Sequence, residues 1–494
     1  MATPSALASR AARATRPTLR TPRLQTRSAS TFAYETGEAS GVKFASRELP
    51  TGVTTLSVVA RAGSRFEPLP GYSDALKTFA FKSTSKRSAL RITREIELLG
   101  GQVQAYNSRE NLVLKASFLQ DDLPYFAELL AEVVSKTRYT SRCIPAKSRF
   151  SLYASYPITA HNSKAPRRKT EQTITDIQTA HELQEEVLET MKLEQKTLLA
   201  QPLYLALNSV HGVAFHKGLG WPQTPTSSIF TKYVDAPGVA DFADAAYARS
   251  NIAVVANGAK HSELSKWVKE FFEETSSGNS NVKIQSTPSK FYGGEERIGH
   301  SSGNALILAF PGSAAFTSGS AYKPEVAVLA ALLGGDSAIK WSPGFSILSN
   351  AAAATPGAKV VTNHAAYSDA GLLYVTLTGK ASDIATAGKN VVEAIKKVAN
   401  GDVSDEVIKK AVASARFSAL EGGEQVDAGI EATGNGLIVG GKAFQISELA
   451  KGFEGVSKAK VVEAAKALTS QKAAVSAVGD LYQLPYAEDL GLKV

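Results

Sequence analysis

Two distant segments of the chain resemble each other, and this internal repeat constrains the fold more than any other feature. The sequence NIAVVANG at 251–258 is similar to KAAVSAVG at 472–479, and each follows a helix-like stretch rich in alanine and other small residues. A repeat of about 200 residues is long enough for each copy to form a domain with its own core. The sequence therefore predicts two similar α+β halves.

Alternating and helical patterns predict the elements of the first half. Residues 42–48 and 53–61 alternate around a Pro-Thr-Gly turn and predict a β-hairpin. Asp121 or Asp122 is expected to cap one helix, and Ser262 another. In chain order, the remaining predictions are helices at 72–81 and 88–99, strands at 103–107 and 112–118, helices at 123–137, 182–199, 203–215 and 238–249, a strand at 252–256 and a helix at 262–274.

A linker separates the first half from a second half of similar style. Residues 276–290 are rich in Ser, Gly and Asn, which is typical of a connection between domains. Domain bounds of 38–275 and 291–494 follow from its position. In the second half, the sequence predicts strands at 305–310, 372–377 and 473–478, and helices at 324–333, 382–400, 404–420, 426–437 and 457–468.

The formal net charge of +9 is concentrated in two segments. Residues 1–34 hold six arginines and no acidic residue, and residues 141–179 hold seven Lys or Arg against two acidic residues. Without these segments the body of the chain is nearly neutral. The basic balance therefore does not indicate a nucleic-acid-binding face.

The N-terminal 34 residues predict a mitochondrial presequence. They are rich in Arg, Ser, Thr and Ala and lack the apolar core of a secretory signal, which is typical of a mitochondrial transit peptide. The alternative is a disordered basic tail. Cleavage is expected between Arg27 and Glu38, so the predicted destination is the matrix or the matrix face of the inner membrane.

Residues 141–179 interrupt the pattern of strands and helices. They have no sustained hydrophobic period, three prolines and clustered Ser and Thr. A structureless stretch of about 40 residues is uncommon inside a compact domain. One interpretation is a regulatory loop or a docking arm. The favoured one is a disordered or wrongly translated segment that contributes nothing to the fold.

Motifs for metal binding and cofactor attachment are missing from the sequence. The single cysteine, Cys143, excludes a disulfide framework and a cysteine-built metal site. None of the seven histidines forms His-Glu-x-x-His or His-x-x-Glu-His, and His211 and His216 are too far apart to share a helix face as zinc ligands. No apolar run approaches the ~18–20 residues of a membrane-spanning helix.

The segment GYSDALKTFAFKST at 71–84 resembles the active-site helix of the inverted zincins, the pitrilysin-like M16 metallopeptidases. In that family His-x-x-Glu-His is followed by Phe-Lys-Gly-Thr. The two histidines bind zinc, and the glutamate acts as base on the metal-bound water. In this sequence the conserved positions around the motif are matched by Gly71, Phe81, Lys82 and Thr84.

The resemblance implies that the zinc site is degenerate. Asp74 and Thr78 stand at the two histidine positions, and Lys77 stands at the glutamate position. Threonine is a poor zinc ligand, and a lysine cation repels the metal and cannot accept the proton. Allowing for the insert, the family's remaining ligand falls at Glu194, which is either a relic ligand or a solvated helix charge. We therefore expect no catalytic residue, no bound metal and no cofactor.

The resemblance extends over nearly the whole chain. The segments 61–71 and 97–134 are similar to those around the family's zinc helix. The segments 205–222 and 332–349 are similar to the branch that supplies core subunits of the mitochondrial ubiquinol–cytochrome c reductase, complex III. The implied fold is a pair of similar α+β domains, each a mainly antiparallel sheet packed with helices.

Similarity to that branch implies a non-catalytic structural subunit that supports the assembly and stability of a dimeric respiratory complex. The implied partners are core protein 1, cytochrome b, cytochrome c1 and the iron–sulfur protein, with no nucleic acid. The implied location is peripheral, on the matrix side of the inner membrane.

Other functions remain open at this point. One alternative is the non-catalytic, substrate-binding subunit of the mitochondrial processing peptidase. That subunit carries a mobile glycine-rich loop, whereas Trp341 and Pro343 stiffen the corresponding residues 338–346, which favours the reductase. Two further alternatives are a peptidase with an unrecognised site and a binding protein outside the respiratory chain.

Overall fold

The computed structural model describes residues 32–139, 186–278, 282–284, 287–336, 344, 346–440 and 442–494. Most of the predicted presequence, the predicted insert at 141–179 and most of the loop at 338–346 lie outside the described residues. Among the helices that are described, none combines the length and the apolar character needed to cross a membrane.

The first sheet has six strands in the order β1-β2-β6-β3-β5-β4. These are β1 Glu35–Ala39, β2 Val42–Arg47, β3 Val53–Ala60, β4 Gln102–Asn107, β5 Leu112–Leu119 and β6 Ile252–Asn257. Neighbouring strands are antiparallel except β2 and β6, which are parallel. The helices are α1 Tyr72–Phe79, α2 Ala89–Leu98, α3 Leu123–Lys136, α4 Leu188–Leu199, α5 Pro202–Phe215, α6 Phe230–Tyr233, α7 Ala236–Ala246 and α8 His261–Phe271.

The second sheet has five strands in the order β7-β11-β8-β10-β9. These are β7 Gly294–Gly299, β8 Asn304–Pro311, β9 Ala358–Ala366, β10 Gly371–Gly379 and β11 Ala474–Gly479. Here β7 and β11 are the parallel pair. The helices are α9 Pro324–Leu333, α10 Ile347–Ala352, α11 Ala381–Ala399, α12 Asp405–Gly422, α13 Ile430–Val439, α14 Ile446–Glu454 and α15 Lys458–Ser470.

The two repeated segments occupy the same place in the two sheets. Strand β6 lies between a parallel neighbour, β2, and an antiparallel neighbour, β3. Strand β11 lies in the same way between β7 and β8. With β1 set aside, the two strand orders are identical. The predicted fold class of two similar α+β halves is therefore confirmed.

The predicted hairpin of residues 42–48 and 53–61 is wrong. Both strands form, but β6 lies between them and pairs with each. All six residues of β6 are buried, which is typical of a central strand with a neighbour on either side. The connection at 48–52 has only to cross two strand spacings, about 10 Å, and five residues reach that far.

The two predicted helix caps are also wrong. Asp122 directly precedes α3, but its side chain makes no capping hydrogen bond. A 3-10 turn, Gln120–Asp122, leads into the helix, and Pro124 in its first turn lacks the N–H group that a cap would satisfy. Helix α8 begins at His261, so Ser262 already lies inside it.

Each sheet is covered on one face by a helix from the other half of the chain. Helix α5 precedes the linker, yet it packs on β7, β8 and β11 of the second sheet. Helix α13 belongs to the second half, yet it packs on β2, β3 and β6 of the first sheet. This reciprocal exchange joins the two halves through their cores.

Strand β8 shows how both faces of a sheet become buried. Ala305, Ile307 and Ala309 belong to the cluster formed with α5. The alternate residues Leu306 and Leu308 point to the opposite face, in the cluster formed with helices of the same half. Because side chains alternate between the faces of a strand, burial of both faces requires a continuous apolar run rather than an alternating one.

The exchanged helix α13 provides a test of this arrangement. A side chain at Gly434 would collide with the side chain of Val59 on β3. We expect Gly434→Leu to lower the free energy of unfolding by about 1–3 kcal/mol, because the helix has to move away from the sheet. The matched control is Gly422→Ala at the end of α12, where an added Cβ meets nothing within 4 Å. Equal stabilities in chemical denaturation would contradict close packing of α13.

Candidate functional site

The candidate site is on helix α1, whose start is fixed by a buried carboxylate. Oε2 of Glu67 accepts hydrogen bonds from the backbone N–H groups of Gly71, at 3.1 Å, and Ser73, at 2.9 Å. Burial raises the pKa of Glu67 well above its ordinary value, although these N–H groups oppose the shift. Gly71 has a φ of 108°, a conformation that favours glycine. The chain thus enters α1 in one defined direction.

Three of the four predicted site residues come together on α1 and α4. The Lys77 ammonium lies 2.6 Å from Oε2 of Glu194 and 3.5 Å from Oδ1 of Asp74. Asp74 is buried, whereas the Glu194 side chain is 42% exposed. The cluster is therefore one lysine cation held between two carboxylates, one of them deep and the other at the surface.

Burial and the neighbouring charges shift the pKa values of the groups in this cluster. Burial raises the pKa of Asp74, and the Lys77 ammonium and the Asn107 amide only partly offset that shift. Burial lowers the pKa of Lys77, but the carboxylates of Asp74 and Glu194 outweigh it, and the net shift is upward. Lys77 is thus protonated at neutral pH and acts as the counter-ion of the buried Asp74.

Thr78, the fourth predicted residue, takes no part in the ionic cluster. Its hydroxyl donates to the backbone carbonyl of Asp74, one helical turn earlier, at 2.8 Å. Asn107 was not predicted and does take part, because its amide donates to Oδ1 of Asp74 at 2.9 Å. Asn107 stands at the end of β4, beside a tight turn, and this position was the only sequence feature that could have indicated its role.

The donor set around Lys77 does not fit a zinc ion. It contains two carboxylates and an ammonium group, with no imidazole or thiolate. The ammonium already makes the charge-assisted contacts that a metal would make. Across the part of the chain that the structure describes, no group of three or more His, Cys, Asp and Glu side chains could hold a metal.

A second polar cluster ties the two halves together and was not predicted. Arg65 donates to both carboxylate oxygens of Asp369, each at 2.7 Å, and to Oε1 of Glu110 at 2.7 Å. Burial raises the pKa of Asp369, but the bonds with Arg65 and the hydrogen bonds from Ser289 together outweigh burial and lower it overall. Arg65 and Glu110 come from the first half and Asp369 from the turn between β9 and β10. Arg65 lies in the segment 61–71, where charged residues stand among apolar ones. That pattern was the only sequence feature that could have indicated a buried ion pair.

A third contact joins the exchanged helix α5 to the second sheet. His211 is buried, and its Nε2 lies 2.8 Å from the hydroxyl of Tyr367. Its Nδ1 lies 2.6 Å from the carbonyl of Leu207, which can only accept, so Nδ1 carries the hydrogen and Nε2 accepts from Tyr367. Burial lowers the pKa of His211 well below its ordinary value, with the Arg109 charge adding to the effect. His211 is therefore a neutral structural residue.

Comparison with known protein families gives two matches. The model described as Insulinase (Peptidase family M16) matches residues 43–191. The model described as Peptidase M16 inactive domain matches residues 234–415. The first match lies in the first half of the chain, and the second begins in the first half and continues through the linker into the second half.

Individual relatives match over nearly the full length. The cytochrome b-c1 complex subunit 2, mitochondrial, of Neurospora crassa is 46% identical over 94% of this chain and 92% of its own length. The protein of the same name in Schizosaccharomyces pombe is 33% identical over 93% of this chain and 95% of its own. The mitochondrial-processing peptidase subunit alpha-2 of Dictyostelium discoideum is 26% identical over 88% of each chain.

The ionic cluster on α1 predicts a stability effect of Lys77. Lys77→Met leaves the buried Asp74 without its counter-ion, and we expect the free energy of unfolding to fall by about 1–3 kcal/mol. Lys192→Met is the matched control, because its partner Glu189 is 61% exposed and such surface pairs contribute about 0.5 kcal/mol or less. Addition of Asp74→Asn to Lys77→Met should recover part of the loss. Chemical denaturation of the unchanged protein, the two single lysine variants and the double variant measures these differences.

The neutral His211 predicts a loss of stability in acid. The unfolded chain takes up a proton on this histidine near pH 6.5, whereas the folded chain does not, so stability falls as the pH drops below that value. Between pH 7.5 and 5.5 this residue alone should cost about 1.4 kcal/mol. His211→Gln removes that component, so the difference between the two proteins should narrow at low pH. A constant difference across this range would show that His211 takes up a proton in the folded chain as readily as in the unfolded chain.

Proposed function

The chain belongs to peptidase family M16 and, within it, to the group of the mitochondrial cytochrome b-c1 complex subunit 2 proteins, and we propose that it serves that complex as a non-catalytic structural subunit. The observation that carries this proposal is the 46% identity to the Neurospora crassa protein over 92% of that protein's length. Its role is to support the assembly and stability of the ubiquinol–cytochrome c reductase. The electron-transfer chemistry is the work of other subunits.

The absence of peptidase activity is the next part of the proposal. The family's two histidine positions are held by Asp74 and Thr78, and its catalytic glutamate position by Lys77. The ion pairs of Lys77 with Asp74 and Glu194 support the loss of zinc, because the lysine supplies a positive charge to carboxylates that a metal would otherwise neutralise. Glu194 is then a relic of the third ligand, kept as a partner of lysine.

The proposed location is the matrix side of the inner mitochondrial membrane, with the chain peripheral to the bilayer. The arginine-rich residues 1–34 support import, with removal of the presequence on arrival. The proposed partners are core protein 1, cytochrome b, cytochrome c1 and the iron–sulfur protein in a dimeric complex. The proposed domain bounds are 38–275 and 291–494, joined by 276–290. The second contains the whole five-stranded sheet, and the first contains the six-stranded sheet except for residues 35–37 of β1.

The processing-peptidase alternative has weaker support. The relative that carries that name is 26% identical, against 46% and 33% for the two relatives named as subunit 2 of the cytochrome b-c1 complex.

Assembly with the respiratory complex can be tested directly. We expect the chain to comigrate with cytochromes b and c1 when inner membranes are solubilised with a mild detergent and resolved on a native gel. Alkaline carbonate should release it, because the proposal places it outside the bilayer. In mitoplasts it should resist external protease until the inner membrane is opened. Migration with a soluble matrix protease and away from both cytochromes would contradict the assignment.

Reconstruction of the zinc site tests the site residues. Asp74→His, Lys77→Glu and Thr78→His together restore His-x-x-Glu-His on α1. We expect this triple variant to retain one zinc per chain after dialysis, as measured by mass spectrometry, and the unchanged protein to retain none.

The contribution of Glu194 is measured in the same background. Addition of Glu194→Gln should weaken zinc binding, whereas Glu189→Gln on the same helix should not, because Glu189 pairs with Lys192 at the surface. Zinc bound stoichiometrically by the unchanged protein would overturn the proposal of a lost site. Equal zinc affinity with and without Glu194→Gln would show that Glu194 is not the relic ligand.

A further inference from the structure

A cavity of about 510 Å³ lies between the two halves, and Asp74, Lys77 and Glu194 do not line it. The first half contributes the turn between β4 and β5, with Ser108, Glu110 and Asn111. The second half contributes α9 with the segment that precedes it, the end of β9, and α13 and α14 with the loop between them. Sites for small molecules usually have volumes of about 300–1,000 Å³ and mostly apolar walls with a few polar groups. The cavity has these properties.

One side of the cavity is aromatic and apolar. Phe316, Phe444, Leu449 and Phe453 line it, and the rings of Phe316 and Phe444 meet edge to face with centres 6.0 Å apart. The Lys442 ammonium lies 4.6 Å from the centre of the Phe316 ring. This ring thus already holds a cation against its face, which is a favourable contact.

The lining of the cavity also includes two polar atoms that lack a hydrogen-bond partner. Asn111 is 3% exposed, and its Oδ1 is buried without a hydrogen-bond partner. Its Nδ2 is used, because it donates to Oε1 of Glu431 at 3.2 Å. The hydroxyl of Tyr322, which also lines the cavity, is buried without a partner as well. Buried polar groups are normally paired, so the Asn111 oxygen marks a place for a donor.

The carboxylates that line the cavity make it acidic. Glu110 and Glu431 line the cavity, and no Lys or Arg is found among its lining residues within the described chain. The charge of Glu110 is neutralised by its ion pair with Arg65. Glu431 receives the Asn111 amide and has no ion-pair partner within the described chain. Glu431 is only partly buried, so a ligand can reach it from solvent.

We propose that this cavity binds a small amphipathic ammonium ligand, in which a protonated amine is attached to an apolar or aromatic body. The amine donates to Oδ1 of Asn111 and pairs with the carboxylate of Glu431. The body lies against Phe316, Phe444 and Phe453. An anionic ligand is disfavoured by the Glu431 carboxylate, and a purely apolar one would leave the Asn111 oxygen unpaired.

Three probes with the same body and different head groups test this site. Phenylbutylammonium, phenylbutanol and phenylbutanoate are titrated into the purified full chain by isothermal calorimetry at neutral pH. We expect the ammonium to bind about tenfold or more tightly than the alcohol, and the carboxylate not to bind. Equal binding of all three probes, or binding of none, would overturn the proposal.

Variants locate the binding to this cavity. Glu431→Gln should abolish the preference for the ammonium over the alcohol, and Ala432→Phe, which fills the cavity, should abolish the binding of both. Glu393→Gln on the exposed face of α11 is the matched control and should change neither. Thermal melting verifies that each variant is folded. Unchanged ammonium binding in Ala432→Phe would place the ligand elsewhere and refute the site.

Discussion

The structure depends on a reciprocal exchange in which each half places one of its helices on the sheet of the other half. A sheet with two apolar faces needs a cover on each, and the helices of one half cover only one face of their own sheet. Helix α5 covers the second sheet, and α13 covers the first. Small residues permit the close approach, as where Gly434 meets Val59. Neither half can therefore bury its own sheet alone, and the two are expected to unfold together.

The buried charges between the halves follow from this exchange. Arg65, Glu110 and Asp369 are acceptable inside the protein only because they pair with one another, since an unpaired buried ion is strongly unfavourable. Their hydrogen bonds require one arrangement of the halves, whereas apolar packing alone would tolerate small shifts. The apolar exchange thus supplies the stability, and the ion cluster fixes the angle at which the halves meet. The cavity lined by Glu110 and Asn111 takes its shape from the same arrangement.

The sequence predicted local and repeated features well and long-range pairing poorly. The apolar runs at 251–258 and 472–479 located both central strands, because burial on two faces leaves a continuous apolar pattern. The hairpin of 42–48 and 53–61 failed, because nothing in those residues reveals that a strand some 200 residues later lies between them. At the candidate site, the resemblance led to Asp74, Lys77 and Glu194, which do meet. Asn107 and Asp369 were missed, because their partners come from distant parts of the chain.

The two carboxylates that meet between α1 and α4 need a positive charge close to them. Asp74 lies in a place where burial already raises its pKa, and Glu194 faces it from α4. A neutral residue at position 77 would leave these two groups to repel each other across the site. Lys77 prevents this repulsion, because its ammonium group is a cation that is covalently part of the chain and cannot dissociate from it. The Lys77 ammonium thus links α1 to α4 through ion pairs that the chain makes by itself.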